Sequence, residues 1–167
     1  RNFSIIAHID HGKSTLAEAM SYSAGLTNRL GNTTDGTLIS DFTEEEKSRQ
    51  TSLYLSLIAA PWKKNKINIA DLPGHMDFVG DALSGMMAAD AMIMVIDAGS
   101  GVEVGTLQIF QHVEKYSKPV AFFINRLDKE NTDFAQNIGH CQEAFGNKVI
   151  PVQIPIGKAN GFNGVVD

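Results

Sequence analysis

One cysteine, Cys141, stands in 167 residues, so the chain can form no internal disulfide and no cysteine-rich metal site. A reducing, cytoplasmic compartment is the expectation. No apolar run approaches the roughly 18 residues of a membrane span. Phe3 to Ala7 is far too short for the apolar core of a secretory signal. Basic charge is also scarce. Fourteen Lys and Arg stand against nineteen Asp and Glu, a net charge of −5, which argues against a protein that coats nucleic acid. There is no internal repeat and no low-complexity tract. What remains is an ordinary globular composition, 43% hydrophobic and 20% charged, at a length that fits one domain. The chain starts at Arg1 without a methionine and stops at Asp167 after an apolar pair, so the expectation is an excised fragment.

Apolar runs alternate with helical patterns. Phe3–Ala7, Ile67–Ala70, Ala91–Ile96 and Val120–Ile124 have the length of strands, and the third is apolar throughout. Leu53–Trp62 alternates partly and contains Pro61, which suits an edge strand. Lys13–Ala24 reads as a helix. Phe134, Ile138, Cys141 and Phe145 recur at spacings of four, three and four, on one helical face. Such interleaving predicts an α/β fold with a parallel sheet covered on both faces. Ligands of such folds lie at the carboxyl ends of the strands.

Those ends carry the chemistry. After the first strand comes Ala7-His8-Ile9-Asp10-His11-Gly12-Lys13-Ser14-Thr15. It matches the phosphate-binding loop, with Ala7 in place of the first glycine. Backbone N–H groups of such a loop cradle phosphates at a helix N-terminus. Lys13 reaches the β- and γ-phosphates, and the Ser14 hydroxyl can ligate Mg²⁺. After Ile67–Ala70 comes Asp71-Leu72-Pro73-Gly74-His75. Asp71 can hold Mg²⁺ through water, and Gly74 lets the backbone approach a γ-phosphate. After Val120–Ile124 comes Asn125-Arg126-Leu127-Asp128. Asn125 can meet the O6 and N7 side of a purine, and Asp128 can accept from N1–H and N2–H₂, a donor pair that guanine has and adenine lacks. The acidic run Glu44–Glu46 reads as a solvated segment, and Cys141 as core. His8 and His11 are metal ligands by residue type, but in a phosphate loop the backbone does the binding.

Together these motifs resemble the translational GTPases, and among them elongation factor G and its paralogues. The resemblance covers essentially the whole chain. Ser40-Asp41, Glu44–Glu46 and Arg49–Ser52 look like switch I, about Gly31 to Ser52; Asp71–His75 look like switch II. Ser100–Thr106 resemble the turn into the third helix, and Val152–Gly157 with Phe162–Asp167 the start of an inserted subdomain. The fold implied is the three-layer phosphate-loop NTPase type, mostly parallel with one antiparallel edge strand. The implied division is a GTP-binding core over 1–148 and the insert from 149–167. A further guanine-contacting loop beyond the insert would be missing, with the last strand and helix. Weaker nucleotide affinity than the parent's is therefore expected.

The resemblance implies GTP or GDP with Mg²⁺ as ligands. Asp10, His11, Gly12, Lys13, Ser14, Thr15 and Gly74 would hold the phosphates. Asn125, Arg126 and Asp128 would hold the base, with Arg126 covering it. Ser14, Ser52 and Asp71 would serve the metal, and His75 would position the attacking water. The implied partner is the ribosome, through large-subunit RNA and proteins, with a monomeric domain and neither membrane nor DNA. Several positions depart from the family pattern, among them Ser52, which sits where a threonine normally ligates Mg²⁺. Arg126 replaces a lysine, Thr51 an apolar residue near the catalytic histidine, and Leu72 a threonine. Thr51 and Leu72 keep open a nucleotide-dependent binding module with negligible hydrolysis. The motifs also fit a related factor such as release factor 3 or the back-translocating factor. An ATPase of the same loop class shares the phosphate loop, but Asn125 and Asp128 argue against it.

Overall fold

The computed structural model describes residues 1–167, the side chain of Met76 excepted. Five strands form the main sheet: β1 (Asn2–Ala7), β2 (Ser56–Trp62), β3 (Asn65–Asp71), β4 (Ala91–Asp97) and β5 (Val120–Asn125). Their spatial order is β2-β3-β1-β4-β5. β1 pairs parallel with both β3 and β4, and β4 parallel with β5. β2 runs antiparallel to β3 at the edge, where Pro61 does no harm to the ladder. Two short strands, β6 (Ile154–Ile156) and β7 (Gly164–Val166), form a separate antiparallel pair. The expected α/β class with one antiparallel edge strand is therefore what the chain adopts.

Five helices cover or flank the sheet: α1 (Lys13–Ser23), α2 (Glu44–Arg49), α3 (Val79–Ala88), α4 (Val104–Lys115) and α5 (Phe134–Phe145). Side chains of a strand alternate between its two faces. Ile5, Ala7, Ile69 and Val95 therefore meet α1 through Ala17 on one face. Ile6, Met92, Met94 and Ile96 meet Met86 of α3, Ile109 and Val113 of α4 and Cys141 of α5 on the other. The helical spacing of Phe134 to Phe145 has its counterpart in this packing. Phe145 stacks on Phe122 of β5 with ring centroids 4.8 Å apart and meets Phe110 of α4 at 4.4 Å. Leu72, expected near the site, lies fully buried in the core beside Leu55 and Gly85.

Register puts the chemistry on one edge. Ile5 sits opposite Asp71, Ala7 opposite Val95, and Asp97 opposite Asn125. All four parallel strands thus end on the same side, each delivering a polar residue or a loop there. No helix among the described residues is long and apolar enough to cross a membrane.

Candidate nucleotide site

The loop from β1 to α1 turns through Asp10 at φ 61 and Gly12 at φ 91. Gly12 needs both its left-handed backbone and its bare Cα, because a Cβ there would collide with the Asn125 amide. No side chain caps the first turn of α1, so its N–H groups point into the pocket. Asp10, Lys13, Ser14, Thr15, Gly74 and His75 line one cavity at that helix end. Ser52 and Arg126 line it too, joined by Thr33, Asp41 and Thr51.

Lys13 is buried, and burial pushes its ammonium below the usual range against the pull of the Asp71, Asp10 and Asp41 carboxylates. Gly74 lies against it: a Cβ there would stand 2.7 Å from Lys13 Nζ. Asp71 is 0% exposed, and neither carboxylate oxygen finds a hydrogen bond within the protein. Burial pushes its pKa up, against Lys13 and the nearby Ser14 and Ser40 hydroxyls. The Ser14 and Ser52 hydroxyls are 2.9 Å apart, and Ser52 donates to Asp41 Oδ1 at 2.7 Å. Burial raises the Asp41 pKa too, despite that bond. Two hydroxyls and a partnerless buried carboxylate beside one cavity suit a hard divalent cation such as Mg²⁺.

The Asp71–His75 segment presents His75 at the cavity rim. His75 Nδ1 lies 3.2 Å from both the Asp77 N–H, from which it accepts when unprotonated, and the Asp77 carboxylate, to which it donates when protonated, so the Asp77 contacts fall on Nδ1 rather than Nε2. The third strand-end motif is tied to the first. Asn125 Nδ2 donates to the His11 carbonyl at 2.9 Å, and Asn125 Oδ1 accepts from Arg126 N–H at 2.9 Å. Arg126 takes φ 63, and its guanidinium pairs with the Asp97 carboxylate. Asp128 is exposed and borders a second, apolar cleft together with Asn125 and Arg126.

The structure thus gathers most of the phosphate and metal candidates around one cavity, with Asp71 buried behind Lys13 and Ser14, while Asp128 stands apart from it. The His11 ring points away from it. Its Nε2 meets Glu103 Oε2 at 2.6 Å, and its Nδ1 lies 3.3 Å from both the Val95 carbonyl and the Asp97 N–H. Glu46, expected to be solvated, is fully buried. It forms a capping box with Thr43, and its Oε1 accepts from the N–H groups of Leu53 and Tyr54 at 3.1 and 3.2 Å. Asp97 carries no role in the motif reading, although its place at a strand end matches that of Asp71. Glu18 is likewise silent in sequence: nothing marks it among ordinary helix formers.

Residues 1–164 match the family described as the elongation factor Tu GTP binding domain. Elongation factor G of Mycoplasma pneumoniae and that of Mycoplasma genitalium are each 36% identical over 167 residues. The match takes in 100% of this chain and 24% of either relative, so the chain spans about a quarter of their length. A solved structure from Thermus thermophilus superposes with a TM-score of 0.94 at 28% identity, over 100% of this chain and 25% of that one. The chain belongs to the family of elongation factor Tu GTP-binding domains.

Proposed function

We propose that this chain is the GTP-hydrolysing switch of an elongation factor G-like translation factor. One observation carries the reading. Lys13, the paired Ser14 and Ser52 hydroxyls and the partnerless Asp71 carboxylate meet beside an uncapped helix N-terminus. The loop N–H groups and Lys13 bind the phosphates. Ser14, Ser52 and Asp71 would hold Mg²⁺. When bound, Mg²⁺ neutralises charge on the phosphate oxygens. His75 Nε2 orients a water against the γ-phosphorus. The new bond is water oxygen to phosphorus, the broken one runs to the β–γ bridging oxygen, and GDP and phosphate leave. The chain contributes positioning and electrostatics, with no covalent intermediate. Asn125 and Asp128 read guanine, and Arg126, held by Asp97, flanks the base.

The partner in this reading is the ribosome, in the cytoplasm, met through local contacts, since a net charge of −5 gives no general attraction to RNA. Residues 149–167 begin an inserted subdomain. Thr51 lines the cavity near His75, which favours slow hydrolysis in the absence of a partner.

Calorimetric titration tests the assignment. GDP with Mg²⁺ should bind, and ADP should bind at least about a hundredfold more weakly, because adenine lacks the N1–H and N2–H₂ donor pair that the Asp128 carboxylate accepts and offers it no replacement. Asp128→Asn should erode that preference. Preference for ADP, or a preference untouched by Asp128→Asn, overturns the reading. Single-turnover hydrolysis with added ribosomes then separates a GTPase from a binding module.

A further inference from the structure

The Glu18 side chain lies on α1, the same helix whose first turn carries Lys13 and Ser14. It is 1% exposed and therefore needs partners. Both its partners come from one distant segment. Oε1 accepts the Gly31 N–H at 2.9 Å, and Oε2 accepts the Ile39 N–H at 2.7 Å. One carboxylate thus grips the two ends of residues 31–39.

The gripped segment is folded on itself. Asn32 Oδ1 accepts the Asp35 N–H at 2.7 Å, the Gly36 N–H reaches Thr33 O at 3.0 Å, and Thr37 Oγ1 accepts the Asn32 N–H at 3.1 Å. Gly31 is adapted to the grip. A Cβ there would stand 2.9 Å from Glu18 Oε1 and would strike the Thr37 carbonyl. From this turn Thr33 and Leu38 face the phosphate cavity. The chain then continues through buried Ser40 and Asp41 to the Asp41–Ser52–Ser14 contacts.

We propose that Glu18 is a positioning residue that fixes the closed position of residues 31–41 over the phosphate cavity and thereby favours a nucleoside triphosphate over a diphosphate. This rests on reading the cavity as the guanine-nucleotide site. The helix that holds the phosphates also holds the segment that must close on the third one. A diphosphate leaves the outer part of the cavity unused and gains nothing from closure. A ligand shifts an equilibrium only by its differential contact with the two states. A carboxylate suits both N–H groups, whereas an amide has one accepting oxygen and must turn its NH₂ toward the other N–H.

The test compares wild type with Glu18→Gln in three measurements: amide exchange across residues 31–39, affinity for GDP, and affinity for a non-hydrolysable GTP analogue. The expected result is exchange at the Gly31 or Ile39 amide faster by about tenfold or more, and analogue affinity lower by about tenfold, the scale of one lost hydrogen bond to a charged group. GDP affinity should change less than about twofold. Gly31→Ala, which leaves Glu18 in place, should give the same split and serves if Glu18→Gln does not fold. Unchanged exchange at both amides, or equal loss of GDP and analogue, overturns the proposal. A wild type that binds neither nucleotide overturns the nucleotide reading instead, and the exchange data still decide whether the grip exists.

Discussion

Asp97 shows how much one side chain can hold together. It ends β4, pairs with Arg126 after β5, and accepts the Gly99 and Ser100 N–H groups at 2.7 and 3.2 Å. Burial works to raise its pKa, yet Arg126 and the two amides prevail and hold it below the usual carboxylate range. A depressed folded pKa contributes stability above the ordinary value near 3.9, and that contribution is lost as pH falls through the folded value. Asp97→Asn should therefore lower stability by about 1–3 kcal/mol at pH 7. In urea unfolding the deficit should hold to about pH 5 and shrink below about pH 4. Cys141 gives a second prediction. It is 0% exposed, and burial pushes its thiol up to about 11. A thiol reagent at neutral pH should label it no faster than the domain opens, and immediate full labelling of native protein would refute this. Cys141 was legible because its neighbours repeat at helical spacing. Asp97 was legible in principle, since it ends a strand as Asp71 does. Glu18 was not, because its partners lie 13 and 21 residues away.

Secondary-structure elements follow the same division. Every strand of the main sheet is visible as an apolar or partly alternating run, with no end displaced by more than three residues. β2 starts at Ser56 rather than Leu53 because the Leu53 N–H is already taken by Glu46 and Leu55 packs against the core. α2 departs from the solvated segment that its composition predicts. Three adjacent glutamates suggest a solvated run, but Thr43 three residues before Glu46 is a capping box. Glu46 then accepts the Thr43 N–H and hydroxyl on one oxygen, and two N–H groups of the following segment on the other. Glu46→Ala removes the box, at about 1 kcal/mol, and strands the Leu53 and Tyr54 N–H groups, at about 1–3 kcal/mol each. The expected loss is at least about 3 kcal/mol by urea unfolding. Ser52 adjoins the freed N–H groups, so Mg²⁺-dependent nucleotide binding should weaken more than Mg²⁺-free binding. Equal weakening would show that α2 supports the fold without supporting the metal side of the site.

At the scale of the whole molecule, the sheet gathers three distant motifs onto one edge, and Asn125 ties the third to the first through the His11 carbonyl. The cavity itself is short of positive charge. Around it stand one buried ammonium, Lys13, and three carboxylates, Asp10, Asp41 and Asp71, while the Arg126 guanidinium in its lining is already paired with Asp97. A polyphosphate entering alone meets net repulsion, and a divalent cation reverses that balance. Nucleotide and Mg²⁺ should therefore bind with positive coupling, each raising the affinity of the other by the same factor. Thermal unfolding reads this directly. A ligand at a hundred times its Kd stabilises the native state by about 2.7 kcal/mol. For a chain of this size that raises Tm by about 5–10 °C. GDP with Mg²⁺ should give this shift, GDP with a chelator much less, and ADP with Mg²⁺ almost none. Equal shifts for GDP with and without Mg²⁺ would mean that the loop N–H groups and Lys13 offset the carboxylates unaided. The partnerless Asp71 would then need another explanation.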